Sequence, residues 1–158
     1  MINFKTFLNE RVRVGRVQRF AAKAHDEWRK NFDPTGTKER IKDNSDGTKG
    51  NINVPFDKLH PDWKRENLAA GKAAMDANRR YPKDIEKAAE HVHNEWMKRN
   101  PRGEHNASQH VPYNQLSEPE KEKDRVHVRK MQRIKNWYGQ LLYKNLRVIK
   151  WTIKYMTE

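Results

Sequence analysis

The sequence predicts a mainly α-helical protein built from two helix-loop-helix repeats related by a pseudo-twofold, with little β structure beyond short terminal strands. Three observations carry this. The first is an internal repeat. At an offset of 68, Ala21, His25, Asp26, Glu27, Trp28 and Lys30 fall on Ala89, His93, Asn94, Glu95, Trp96 and Lys98. A second match follows at an offset of 57, where Val54-Pro55-Phe56-Asp57-Lys58-Leu59 recurs as Val111-Pro112-Tyr113-Asn114-Gln115-Leu116. Two dense matches in the same order signal a tandem duplication. The second observation is spacing: Val17, Phe20, Ala21, Ala24 and Trp28, and again Ile85, Ala88, Ala89, Val92 and Trp96, recur at helical intervals. The third is composition. With 35% of residues charged and 34% hydrophobic, the core must be thin and made of a few large side chains.

A chain of 158 residues suffices for one domain, or for two half-domains around a shared core. Residues 1–10 read as a separate segment. Residues 11–158 read as one domain, with repeat 1 over about 20–78, repeat 2 over about 87–136 and an extension over 137–158.

Arg11-Val12-Arg13-Val14 alternates and reads as a short strand able to pair with the tail. The first helix follows and ends near Trp28. The change of offset places 11 extra residues in the first copy, within PTGTKERIKDNSDGTKGN, which reads as an exposed loop. Each Val-Pro-aromatic stretch reads as extended. Pro61 opens the next helix, and Pro82 sits where a first helical turn tolerates proline. Ser117 and Glu120 have capping-box spacing at the start of the last helix. In the tail, Tyr138, Leu141, Leu142, Asn145 and Ile149 keep helical spacing, whereas Ile149, Trp151, Ile153 and Tyr155 alternate with polar residues. The reading is a helix over about 133–147 and then a short strand; one helix to the end is the alternative.

Lys and Arg number 34 against 21 Asp and Glu, a net charge of +13 that attracts polyanions. A solvated, repelling surface is the competing explanation. The chain has no cysteine, which excludes disulfides, thiolate metal sites and cysteine nucleophiles. No segment approaches the roughly 20 apolar residues that span a bilayer, and no apolar signal-peptide core follows the first basic residues. A soluble, intracellular protein with no membrane association is expected. The seven histidines form no HxxxH or HExxH pattern, and His91 and His93 point to different helix faces, so no metal and no other cofactor is expected. His25 and His93 are expected to pack against, and bond to, the loops they face. Glu27 and Glu95 read as solvated ion pairs with Arg29, Lys30 and Lys98. No nucleophile motif or phosphate-cradling glycine loop is present, and no catalytic activity is expected.

Binding is the better-supported class. Trp28 and Trp96 with Phe56 and Tyr113 are candidates to line a groove between the repeats, where an aromatic face stacks a base and nearby cations meet phosphate. Lys30, Arg65, Lys98, Arg102 and Arg125 are the cations closest to those motifs in sequence. A core role for the aromatics is the competing reading, with Phe56 and Tyr113 expected to be more exposed than the two tryptophans.

The order VHNEW, polar loop, VPYNQLSEPEKEKDR, and more loosely AHDEW, VPFDKLHPDWKREN, resembles the ryanodine-receptor repeat domain, which also occurs as stand-alone bacterial and phage modules. The resemblance covers most of residues 20–136. It implies a helical, twofold-related, non-catalytic module that senses nucleotide-derived signals. The family's Gly-Trp-x-Tyr-Gly element is replaced here by NFDPTGT and NPRGEHN, which puts the ligand interactions of that aromatic pair in doubt. MINFKTFLNE resembles the capsid-targeting segment of internal virion proteins in T-even-type phages, and Leu8-Asn9-Glu10 matches the cleavage pattern that goes with it.

The leading expectation is a phage-type protein that captures a small anionic nucleotide-like ligand, such as a host defence signal, in the inter-repeat groove. The alternatives are a basic internal virion protein that binds nucleic acid, and an inhibitor that docks on a host protein. The expected location is the host bacterial cytoplasm, with packaging in the capsid first as a variant of that reading.

Overall fold

The computed structural model describes the backbone of residues 4–156 and the side chains of residues 10–104 and 106–141. Four helices, α1 (Phe4–Phe32), α2 (Pro61–Arg80), α3 (Ile85–Arg99) and α4 (Glu118–Met156), are joined by loops that hold one antiparallel hairpin, β1 (Ile41–Asp43) with β2 (Lys49–Asn51). The protein is mainly α with little β, as the sequence predicts.

Local chemistry sets the helix ends. Pro61 lies in the first turn of α2, and the His60 ring accepts a hydrogen bond from the Asp62 N–H at 3.3 Å. Asp84 caps α3 by accepting from the Lys87 N–H at 3.0 Å. The last turns of α1, α2 and α3 carry Arg29 and Lys30, Arg79 and Arg80, and Lys98 and Arg99, where cations suit the helix dipole.

In the bundle, α1 packs on α2, α2 on α3, and α3 on α4, while α4 also lies against α1 and α2. Helices α1 and α4 run antiparallel: Arg16 meets Tyr138, Arg19 meets Trp137, and Phe20 meets His127. The core is one cluster that includes Phe20, Ala74, Ala77, Ala88, Ala89, Val92, Val128, Met131 and Ile134.

Equivalent positions in the two copies exchange bulk inside this core. Phe20 of α1 corresponds to Ala88 of α3, whereas Gly71, Ala74 and Ala77 of α2 correspond to Val128, Met131 and Ile134 of α4. The first copy puts its large side chain on the leading helix and the second puts its large side chains on the following helix. Gly71 marks the close approach: a Cβ there would lie 3.0 Å from Phe20 Cδ1 and 3.2 Å from the Val17 carbonyl oxygen.

Several expectations need correction. Arg11–Val14 is helical, inside α1, and the tail is helical through Met156, so the terminal strands do not form. An isolated two-stranded ribbon is marginal in water, whereas a helix satisfies its own backbone and continues from turns already formed. The inserted loop is largely exposed but folds into the β1–β2 hairpin, turned at Gly47 with φ of 82°. Each Val-Pro-aromatic stretch ends in a single 3₁₀ turn, over Phe56–Lys58 and Tyr113–Gln115. Pro82 precedes α3, whose first residue is Ile85. Residues 1–3 of the suggested targeting segment lie outside the described residues; the rest of it is the start of α1.

Candidate functional site

The duplicated residues build the same local structure twice. In the first copy the His25 Nε2–H donates to the Val54 carbonyl at 2.8 Å; in the second, His93 Nε2–H donates to the Val111 carbonyl at 2.8 Å. Each imidazole stacks on the tryptophan three residues later, His25 on Trp28 at 5.5 Å and 28°, His93 on Trp96 at 5.9 Å and 23°. Each is flanked by the aromatic of its Val-Pro stretch, Phe56 at 6.3 Å and Tyr113 at 6.1 Å. The histidines therefore staple a helix to the following loop, as their spacing predicts.

The two staples differ in charge. His93 Nδ1 lies 3.5 Å from Asp124. At the offset of 57 the first copy has Asn67 in that place. Burial acts to lower the His93 pKa but is outweighed by the Asp124 carboxylate, the Val111 carbonyl and Glu120, so it is raised. Burial lowers the His25 pKa, opposed only in part by the Val54 carbonyl.

Both tryptophans open onto one groove of about 550 Å³, walled also by Ala24, Leu116 and Val126. Its Asp, Glu, Lys and Arg lining is mostly acidic, with Glu27, Glu120, Glu122 and Asp124 against Lys123 and Lys130. Those charges answer one another: Glu27 pairs with Lys130 at 2.6 Å, Glu120 with Lys123 at 2.5 Å, Glu122 with Arg129, and Asp124 with His93. The groove presents aromatic surface without a surplus of positive charge.

Of the nine residues singled out from sequence, only Trp28 and Trp96 line this groove. Tyr113 is 6% exposed and its hydroxyl donates to Glu86 at 3.0 Å. Burial and Glu86 push its pKa up to about 12. It is therefore less exposed than the two half-buried tryptophans, contrary to expectation, because the second copy supplies a carboxylate to receive its hydroxyl. Phe56 is half-buried beside His25. Arg65 pairs with Asp62, Lys98 with Glu95 at 2.6 Å, and Arg125 with Glu86 at 2.7 Å and Glu118 at 2.9 Å. Lys30 and Arg102 are exposed outside the groove, Lys30 beside Asp26 and Asp33. Glu27 reaches across to Lys130 of α4 rather than to Arg29 or Lys30 on its own helix. Among the described residues no group of three or more His, Asp or Glu is placed to hold a metal ion.

The positive charge lies elsewhere. Residues 25–128, which hold the repeats, carry twenty Lys and Arg against nineteen Asp and Glu. Residues 1–24 carry six against one, and residues 129–158 eight against one. These end stretches belong to the antiparallel helices α1 and α4, and where their side chains are described they lie against each other and against α2. Arg13, Lys23, Arg133 and Lys135 are exposed there, with no carboxylate partner among the described residues. A small hollow of about 240 Å³ between the two helices gathers Arg19, Lys23, Lys130 and Arg133 around Trp137. On the other side of α1, Arg13, Arg16, Arg79 and Lys135 line a second hollow. Sequence reasoning missed this face, although charge counted by segment marks it.

No family model, no curated protein and no solved structure matches the chain. Among the described residues no helix is long and apolar enough to cross a membrane.

Proposed function

We propose that this is a non-catalytic nucleic-acid-binding protein that holds phosphate backbone along the basic arm formed by α1 and α4. The observation that carries this is the separation of charge. The duplicated body is balanced, with half of its cations engaged by neighbouring carboxylates, and nearly all the excess lies on one elongated pair of helices. Cations spread along one face suit a polymer, whereas a small ligand needs them gathered at a pocket. The likeness of the first ten residues to a capsid-targeting segment fits a protein packaged with nucleic acid.

Binding dominated by phosphate releases counterions and weakens with salt. Three to four neutralised phosphates on a duplex imply a loss of roughly 40- to 150-fold between about 50 and 200 mM salt. Fluorescence anisotropy with labelled oligonucleotides measures this. Affinity indifferent to salt, or no binding at low salt, removes the proposal.

A second reading keeps a small nucleotide-like ligand in the inter-repeat groove, in line with the ryanodine-receptor-repeat resemblance. One observation favours it: both duplicated tryptophans face the same groove. Calorimetry with cyclic dinucleotides and cyclic oligonucleotides tests it. The reading requires heat that the double variant Trp28→Ala, Trp96→Ala abolishes.

A further inference from the structure

Resting on the nucleic-acid reading, we infer that the arm prefers single strands, because the α1–α4 hollow pairs a phosphate-sized cluster of cations with an aromatic side chain on which a base can stack. Arg19, Lys23, Lys130 and Arg133 converge there, opposed by the single carboxylate of Glu27. Lys130 is fixed, its side chain 12% exposed and paired with Glu27 at 2.6 Å. The other three cations have no carboxylate partner among the described residues.

Trp137 forms one wall and is 41% exposed, a poor placement for a core residue and a good one for a stacking platform. The Arg19 guanidinium sits over the indole, 3.8 Å from the ring centroid, and the Tyr138 ring meets it edge-on at 4.9 Å. These neighbours hold the indole in place before any ligand arrives. At Gly139 no heavy atom lies within 4 Å of where a Cβ would be, so the chain beside the platform leaves room for an approaching strand. A duplex keeps its bases stacked on one another and can offer this site only its phosphates. A single strand can place a phosphate among the cations and lay the adjoining base on the indole.

The experiment compares a labelled single-stranded oligothymidylate with a duplex of equal length, using the full chain and three variants. Trp137→Ala is expected to weaken single-strand binding by about 5- to 150-fold, the range for one stacked base, and to leave duplex binding within about twofold. Trp137→Phe, which keeps an aromatic face, should retain most of the affinity. The double change Lys23→Gln, Arg133→Gln should flatten the salt dependence by roughly 0.7 in log–log slope for each phosphate left without its cation. Circular dichroism and thermal melting confirm that each variant is folded. Unaltered single-strand affinity in Trp137→Ala overturns the inference while leaving backbone binding intact. So does a variant that changes only self-association in sedimentation, which would place Trp137 in a protein–protein interface. Failure of the parent chain to bind either form removes both this inference and the proposed function.

Discussion

One acidic neighbour separates the charge of the two histidine staples. His93 faces the Asp124 carboxylate, and the amide of Asn67 stands at the corresponding place in the first copy. The His93 pKa is raised above 6.5, so its contribution to stability is present below that value and is lost as pH rises through the folded pKa. The His25 pKa is lowered, so its contribution is present above 6.5 and is lost as pH falls through the folded pKa. NMR titration of the two imidazoles should therefore give values on opposite sides of 6.5. In Asp124→Asn the His93 value should fall, and in Asn67→Asp that of His25 should rise. Titration of both rings on the same side would show that Asp124 does not govern the difference. The staples were legible in the sequence, because a repeated His three residues before a repeated Trp suits a ring that packs on its helix and bonds to the loop it faces better than a ligand group. The burial of Tyr113 was not, since it depends on Glu86, 27 residues away in the chain.

Among the elements, the same thin core is packed in two complementary ways. Phe20 fills the space that Gly71 leaves, and in the second copy the bulk sits on Val128 opposite the small Ala88 helix. Phe20→Ala should cost about 3–5 kcal/mol in chemical denaturation. Gly71→Ala should be destabilising by about 1–3 kcal/mol through overpacking, reduced by up to about 1 kcal/mol of helix propensity. The double change Phe20→Ala, Gly71→Val imposes the pattern of the second copy on the first and should recover at least about 1 kcal/mol relative to the sum of the single changes. Strict additivity would mean that the two positions do not share a space. Helical spacing disclosed α3 and the second half of α1, and Pro61 the start of α2, but the alternating Ile149, Trp151, Ile153 and Tyr155 pointed to a strand, with one continuous helix as the alternative, in what is the end of α4. Short apolar alternation fits either structure, and here the segment continues a helix already running from Glu118, so its helical turns need no new nucleus.

At the scale of the whole molecule, duplication and charge divide the chain between them. The repeats make a neutral four-helix body with an aromatic groove, and the outer halves of α1 and α4 make a positive arm. A total of +13 reads as one property of the surface, and from that total the cations nearest the repeated motifs were the natural choice. Folding gave Arg65, Lys98 and Arg125 to local carboxylates and left Arg13, Lys23, Arg133 and Lys135 of the arm without one among the described residues. The most direct measurement sets two charge-neutralised variants side by side in a salt titration of oligonucleotide binding. Replacing the exposed arm residues Arg13, Lys23, Arg133 and Lys135 with Gln should remove most of the affinity and flatten the slope by roughly 0.7–0.9 for each phosphate no longer neutralised. Replacing Lys30, Arg65, Lys98 and Arg102 of the body should leave the affinity within about threefold, the size of a residual long-range charge effect. The reverse outcome, with the body variant losing binding and the arm variant keeping it, would contradict the assignment of function to the arm.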